Sequence, residues 1–254
     1  MPICHSKSGQ QGAIDGSDCT RGSQLGVPPD IEALLLEAEA QLAQVRVLYE
    51  ESLRLQTVST ALRVKVKNVL ENQRSALEYL AYAIATAVAN PGRSVHYPLA
   101  PEITKFDASI DSRMPGVRLA RPDVAAAIAM HQPFQPGHQW LSSLRDLTNE
   151  NKHQRLTPQV RAESLHISAG PGGGYVGTPG GTGIGLGQGA SIILGPGASI
   201  SFGGPGPILQ QNINHEVIVD WLFDPLGVSA LATLEEIQRN LRPAIDDVVQ
   251  IAGL

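Results

Sequence analysis

The sequence predicts an α+β fold, mainly an antiparallel helical bundle of two long helices, two shorter ones and one C-terminal helix, with a small antiparallel β insert. Three observations carry this expectation. Two apolar stripes at helical spacing follow one another, Ile31 to Tyr49 and Leu62 to Val88, with only a short link between them. After residue 158 the hydrophobic pattern changes from a period near 3.6 to alternation. The glycines are also unevenly placed: residues 170–207 hold 16 of the 26 in this 254-residue chain. A chain of this length that is 42% hydrophobic can bury a sizeable core without disulfides or metals.

Residues 1–27 are rich in Gly, Ser and Gln, lack periodicity and are expected to be a disordered tail. They contain Cys4 and Cys19, the only cysteines, which would staple nothing as a disulfide and are too few for zinc. That usage fits a reducing compartment, and the expected localisation is cytoplasmic. The N-terminus shows no charged-then-apolar signal pattern.

Pro28, Pro29 and Asp30 open the first helix. Its apolar positions Ile31, Leu35, Ala38, Leu42, Val45 and Tyr49 alternate steps of four and three, keeping one face apolar as far as about Gln56. The second helix follows Thr57 to Thr60 and carries Leu62, Val66, Val69, Leu70, Leu77, Leu80, Ala81, Ile84 and Val88. Asn90, Pro91 and Gly92 end it. So short a link implies an antiparallel hairpin. Acids on helix one face Arg63, Lys65 and Lys67 at the start of helix two, which favours the same pairing.

Ser94 to Leu99 reads as a short extended piece confined by Pro98 to an edge or bulge, and residues 100–121 read as a loop with a turn at Met114 to Gly116. A third helix runs from Pro122 to Pro133. A fourth starts near His138 and presents Trp140, Leu141, Leu144 and Leu147 to the core. Val160, Leu165 and Ile167 suggest a strand. The near-repeat of Gly189–Pro196 in Gly197–Gly204 suggests a hairpin around Gly195 to Gly197. Ile213 to Phe223 reads as a longer strand with Val217, Val219, Trp221 and Phe223 on one face. The last helix starts near Ser229, and Pro243 must bend or restart it. The expected organisation is therefore a tail (1–27), a helical bundle (28–157 with 224–254) and a Gly-rich β insert (158–223).

Composition and motif tests exclude several function classes. The longest apolar stretch, Tyr79 to Ala89, falls far short of the ~20 residues of a membrane span. A net charge of −5 argues against coating nucleic acid through bulk charge but not against a local basic site. Lys152 is the last lysine, so the glycine-rich segment holds no Gly-x4-Gly-Lys phosphate loop, and no helix follows its glycines as a dinucleotide fingerprint requires. Gly197 to Ser201 lacks the final glycine of a nucleophile elbow, and His215-Glu216 lacks a second histidine. Asp246 and Asp247 read as solvent-facing. No metal or cofactor is expected.

The densest polar run is Arg145 to Arg155. Steps of four place Arg145, Asn149 and His153 on one helix face with Lys152 beside them. A histidine among cations suits acid–base work on a phosphodiester, while a polar run at a helix end is equally a solvated terminus favoured by the helix dipole. On helix two, Arg74, Glu78 and Tyr82 step by four beside the apolar stripe, as an intrahelical ion pair would. If helix two packs beside helix four, Arg74 approaches His153.

The ordered set Arg74-Ser-Ala-Leu-Glu-Tyr-Leu-Ala81, His96-Tyr-Pro-Leu, Gln132-Pro-Phe and Leu144-x-x-Leu147-x-Asn149-x-x-Lys152-His153 resembles a widespread group of uncharacterised bacterial proteins. These read Arg-x-x-Leu-Asp-x-Leu-Ala, Phe-Pro, Gln-Pro and Asn-x-Asp-Lys-His-Arg. The helical part is similar to the HEPN superfamily, four-helix bundles that include metal-independent ribonucleases with an Arg-x4–6-His signature. Here seven residues separate Arg145 from His153, Asn151 stands where the group has Asp, and Gln154 where it has Arg. The resemblance implies a HEPN-like protein that binds or cleaves RNA without a metal. His153, Arg145 and Asn149 would form the catalytic set, and Arg74, Glu78, Lys152 and Arg155 would contact substrate. The competing expectation is a non-catalytic helical module that forms a homodimer through the bundle; neither reading involves a membrane.

Overall fold

A computed structural model describes residues 26–88, 94–153, 156, 158–171, 173–177, 183–187, 190–194, 200, 209–224 and 226–254. Helix α1 (Pro29–Leu55) and helix α2 (Thr60–Val88) form the expected hairpin. Pro29 sits in the first turn of α1, where its missing N–H costs nothing. Gln56, at φ 55°, closes the helix, and the Thr57 N–H reaches back to the Ser52 carbonyl at 3.1 Å. Ser59 caps α2 by accepting the Leu62 N–H at 3.1 Å. All six stripe positions of α1 named above are buried, as are Leu62 to Ile84 of the α2 stripe. The stop at Asn90 to Gly92 and the tail before Gly26 lie outside the described residues.

The remaining helices are α3 (Ile103–Arg113), α4 (Val117–Ala120), α5 (Pro122–Met130), α6 (Trp140–His153) and α7 (Ala230–Ala252). The expected loop over residues 100–121 is thus corrected to two short helices around the turn at Pro115 and Gly116. Phe106, Ile110, Met114 and Val117 bury the inner side of this stretch, while Asp107, Asp111 and Arg118 form ion pairs outside and give the run its loop-like polarity. Helix α6 begins two residues later than expected. Helix α7 continues unbroken through Pro243, so no restart occurs; Leu241, Ala244, Ile245 and Val248 pack on either side of the proline. Its ends are well capped: Ser229 accepts the Ala232 N–H, and Arg121 donates to the carbonyls of Ile251 and Ala252.

Helix α7 lies against both helices of the hairpin. Arg46 pairs with Glu235 at 2.7 Å and Arg242 with Glu32 at 2.8 Å, so α7 runs antiparallel to α1 and parallel to α2. The buried Gln73 of α2 donates to Gln238 at 3.0 Å. The expected α1-to-α2 charge pairing is not what forms: among the described residues, α1 shares ion pairs with α7, and Lys67 pairs within α2 with Glu71. Helix α6 packs on α2 and α7. It starts beside His131, whose ring meets His138 and, through Nε2, Asp247 near the end of α7. Its course is therefore antiparallel to α2, back towards the middle of that helix.

The β unit contains β1 (Gln159–Ala169), β2 (Gly174–Gly177), β3 (Gly183–Leu186), β4 (Ser191–Leu194), β5 (Leu209–Gln211), β6 (Ile213–Phe223) and β7 (Val228–Ser229). They form two antiparallel sheets, ordered β4-β1-β6-β7 and β3-β2-β5. Strands β1 and β6 pair along their whole length, from Gln159 opposite Phe223 to Ala169 opposite Ile213. The expected hairpin around Gly195 to Gly197 falls mostly outside the described residues; its first arm, β4, pairs with β1. The face predicted for β6 is divided. Trp221 and Phe223 enter the bundle core, while Val217, beyond the bundle, is 57% exposed.

Candidate functional site

One helical turn separates Arg74 from Glu78 on α2, which brings their side chains together on the flank of the apolar stripe. The Arg74 Nη2 pairs with the Glu78 Oε1. The other carboxylate oxygen, Oε2, accepts the Tyr97 N–H at 3.0 Å and lies 3.2 Å from His96 Nδ1. The His96 N–H in turn donates to the Arg113 carbonyl at the end of α3, 3.1 Å away. A carboxylate on α2 thus ties down the strap at residues 94–100. That strap pairs with no strand among the described residues, which corrects the expected edge or bulge piece: the Tyr97 and Ala100 amides go to the side chains of Glu78 and Gln132, and the His96 amide goes to the Arg113 carbonyl.

The strap's far end is held by Gln132, fully buried just beyond α5. Its Oε1 accepts the Ala100 N–H at 2.9 Å, and its Nε2 donates to the Pro98 carbonyl at 3.0 Å. Three separate pieces of the sequence pattern, at Arg74 to Ala81, His96 to Leu99 and Gln132, are therefore in direct contact through polar side chains.

The Arg74 side chain is only 13% exposed. Its Nη1 is buried and has no hydrogen-bond acceptor among the described residues. Burial disfavours its charge and holds its pKa below the usual arginine value; Glu78 works the other way, and the nearby Arg113 adds repulsion. The Tyr97 phenol is enclosed in the same place, and burial pushes its pKa well up while the charge of Arg74 opposes the shift. The cluster is a mostly buried cation paired with Glu78, with one nitrogen lacking an acceptor among the described residues and a second arginine nearby.

Helix α6 supplies the remaining candidates. Arg145 and Asn149 fall on one helix face by their spacing; Arg145 is partly buried and tied to Asp146 at 2.8 Å, and Asn149 is exposed. Leu144 and Leu147 face the core, and Thr148 turns its hydroxyl back to the Leu144 carbonyl. Lys152 and His153 form the last turn. Their side chains, and all of Arg155, lie outside the described residues. The packing of α6 on α2 that an approach of Arg74 to His153 requires is present.

Three neighbours of Arg74 and Glu78 were not among the expected site residues: His96, Tyr97 and Arg113. His96 and Tyr97 stood in the quoted pattern without a role, and Arg113 was hidden in the supposed loop. Tyr82, in line with Arg74 and Glu78, points to solvent instead. Asp246 and Asp247 are both exposed, as expected, and His131 contacts Asp247 at 2.9 Å. No described helix is long and apolar enough to cross a membrane. Comparison of the chain with protein-family models, with curated proteins and with solved structures found no match.

Proposed function

We propose that this chain is a HEPN-like cytoplasmic protein that binds single-stranded RNA and cleaves it without a metal ion, using the Arg74 cluster of α2 and the last turn of α6. The observation that carries this reading is the Nη1 of Arg74, buried with no acceptor among the described residues. A guanidinium buried with one nitrogen unsatisfied is costly, and a second arginine alongside makes it costlier. A phosphodiester oxygen that reached this nitrogen would satisfy it, and its single negative charge would offset the arginine charge that Glu78 leaves unpaired. His153 would act as general acid or base, Lys152, Arg145 and Arg155 would contact phosphate, and Asn149 would help orient the group.

The test incubates labelled single-stranded RNA with the native chain and a His153→Ala variant in EDTA. Cleavage by the native chain that the variant lacks is the expected result. Equal residual cleavage by both would overturn the assignment. A second reading, a non-catalytic helical module that self-associates, draws support from Glu78: both of its oxygens are occupied in holding the strap and Arg74. Neither binding nor cleavage of RNA, together with a concentration-dependent dimer in sedimentation, would favour it.

A further inference from the structure

We infer that the outer face of the sheet β3-β2-β5 is a binding platform for a neutral saccharide, with Tyr175 as the ring on which a sugar stacks and Gln211 as the amide that meets its hydroxyls. The inference is independent of the RNA reading above. The register aligns Gly185, Tyr175 and Gln211 in one cross-strand row, and Gly183 and Gly177 lie two residues along on the same face. Gly185 and Gln211 are exposed and Tyr175 is half-buried. Val176 and Ile184 take the opposite face, where Val176 is buried. Around Tyr175 the outer face is therefore floored mainly by glycine.

These glycines are of two kinds. At Gly174 a Cβ would lie 2.6 Å from the Asn212 carbonyl oxygen, so packing demands glycine there. At Gly185, and at Gly187 just beyond β3, a Cβ would meet no atom within 4 Å. Their φ angles also lie outside the left-handed region. Neither packing nor backbone conformation requires glycine at these two exposed positions, and in a strand a β-branched residue would be more stable than Gly185. What Gly185 does is leave the Tyr175 ring without a side chain opposite it on β3. A strand glycine of this kind marks the close approach of a ligand.

A concavity of about 420 Å³ adjoins this row, lined by Tyr175, Leu186, Gln211 and Asn212 with the backbone of Gly173 and Gly174, and falls in the size range of small-ligand sites. Its chemistry selects the ligand. No lining side chain is charged at neutral pH. The Tyr175 hydroxyl and the Gln211 amide can each donate and accept, and neither is used in a hydrogen bond among the described residues. Asn212 is held by the Pro171 and Gly173 carbonyls and so fixes the rim. Sugar hydroxyls likewise donate and accept, and the C–H face of a pyranose lies flat on an aromatic ring. A nucleobase would use the same ring and amide, but it arrives with phosphates. The chain has no Lys or Arg from 162 to 238, so this sheet and its connections supply no cation to meet them.

The experiment uses the full chain with Tyr175→Ala, Tyr175→Phe and Gly185→Val variants. Affinity electrophoresis through gels containing soluble starch, β-glucan, xylan, glucomannan or glycol chitin reads the binding. At least one of these neutral polysaccharides should retard the native chain. Tyr175→Ala should weaken that binding about 10-fold or more, the scale for a lost aromatic anchor, while Tyr175→Phe keeps the stacking face and most of the affinity. Gly185→Val should block binding while its melting curve stays native or rises, because its Cβ meets open space. No retardation of the native chain in any gel would overturn the inference, as would equal retardation of the native chain, Tyr175→Ala and Gly185→Val. Binding of labelled single-stranded RNA that Gly185→Val abolishes would assign the face to nucleic acid instead. A dimer in sedimentation that Gly185→Val converts to monomer would assign it to a second copy of this chain, and either result would overturn the saccharide reading.

Discussion

The phenol of Tyr49 on α1 donates to the carboxylate of Asp220 on β6, 171 residues away, and accepts the Trp221 N–H at 3.1 Å. One hydroxyl therefore joins the β unit to the helical bundle by two hydrogen bonds. Tyr49→Phe would leave a buried amide without its acceptor, at an expected cost of about 1–3 kcal/mol. Urea denaturation measures that loss. Hydrogen exchange at the Trp221 amide should rise more than at the α1–α2 core, and equal protection in variant and native chain would contradict the link.

Tyr49 also predicts alkaline behaviour. Burial first, then the bond to Asp220, pushes its pKa well above the ordinary value of 10.0, and burial does the same for Tyr97. The folded state keeps these protons more tightly than the unfolded state. The resulting stability is present below about pH 10 and is lost as pH rises towards the folded-state pKa values. Unfolding free energy should fall as pH climbs above 10, and Tyr49→Phe should reduce the slope. Absorbance titration should show these two phenolates forming only as the chain unfolds.

The long elements were legible in the sequence because burial there follows the period closely. Ile31 to Tyr49 show it in α1, and the strand over Ile213 to Phe223 was found at its true limits. Helices α3 and α4 were not legible. Phe106, Ile110, Met114 and Val117 are too few to outweigh the intervening Asp, Ser and Arg residues. The site divides in the same way. The Arg74–Glu78 pair follows from a step of four on a recognised helix. That His96 and Arg113 join it depends on how the strap and α3 fold back, a long-range event that no local pattern encodes.

The Arg74–Glu78 pair should respond asymmetrically to substitution. Glu78→Ala strands a mostly buried guanidinium and releases the Tyr97 amide, so about 3 kcal/mol of stability or more should be lost. Arg74→Met leaves Glu78 partly solvated and still bonded to the strap, and about 1 kcal/mol is expected. Thermal or urea denaturation of the two variants decides it. Equal losses would mean that the carboxylate, not the buried cation, carries the cost.

Asn212, at the junction of β5 and β6, sits at φ 53°, a region that favours glycine. Its side-chain amide donates to the carbonyls of Pro171 at 2.8 Å and Gly173 at 2.6 Å, locking the turn before β2. A Cβ at Gly174 would lie 2.6 Å from the Asn212 carbonyl oxygen, so the two backbones can approach this closely only with glycine there. Gly174→Ala should open this corner to proteolysis. Asn212→Gly keeps the backbone and loses two bonds, while Asn212→Ala loses both and adds strain of about 1 kcal/mol. Protease sensitivity should therefore rank native, then Asn212→Gly, then Asn212→Ala.

His138 should make stability depend on pH near neutrality. Burial, and then the neighbouring His131 ring 5.3 Å away, hold its pKa below the ordinary 6.5; His131 itself contacts Asp247. The unfolded chain therefore takes the proton more readily than the folded one. Stability is fully present above about pH 6.5 and declines as pH falls towards the folded-state pKa. Exposed carboxylates, with ordinary pKa values near 4, titrate mostly below this window. Urea denaturation between pH 7.5 and 5.5 should show the decline, and His138→Asn should flatten it. An unchanged slope in that variant would contradict the assignment to His138.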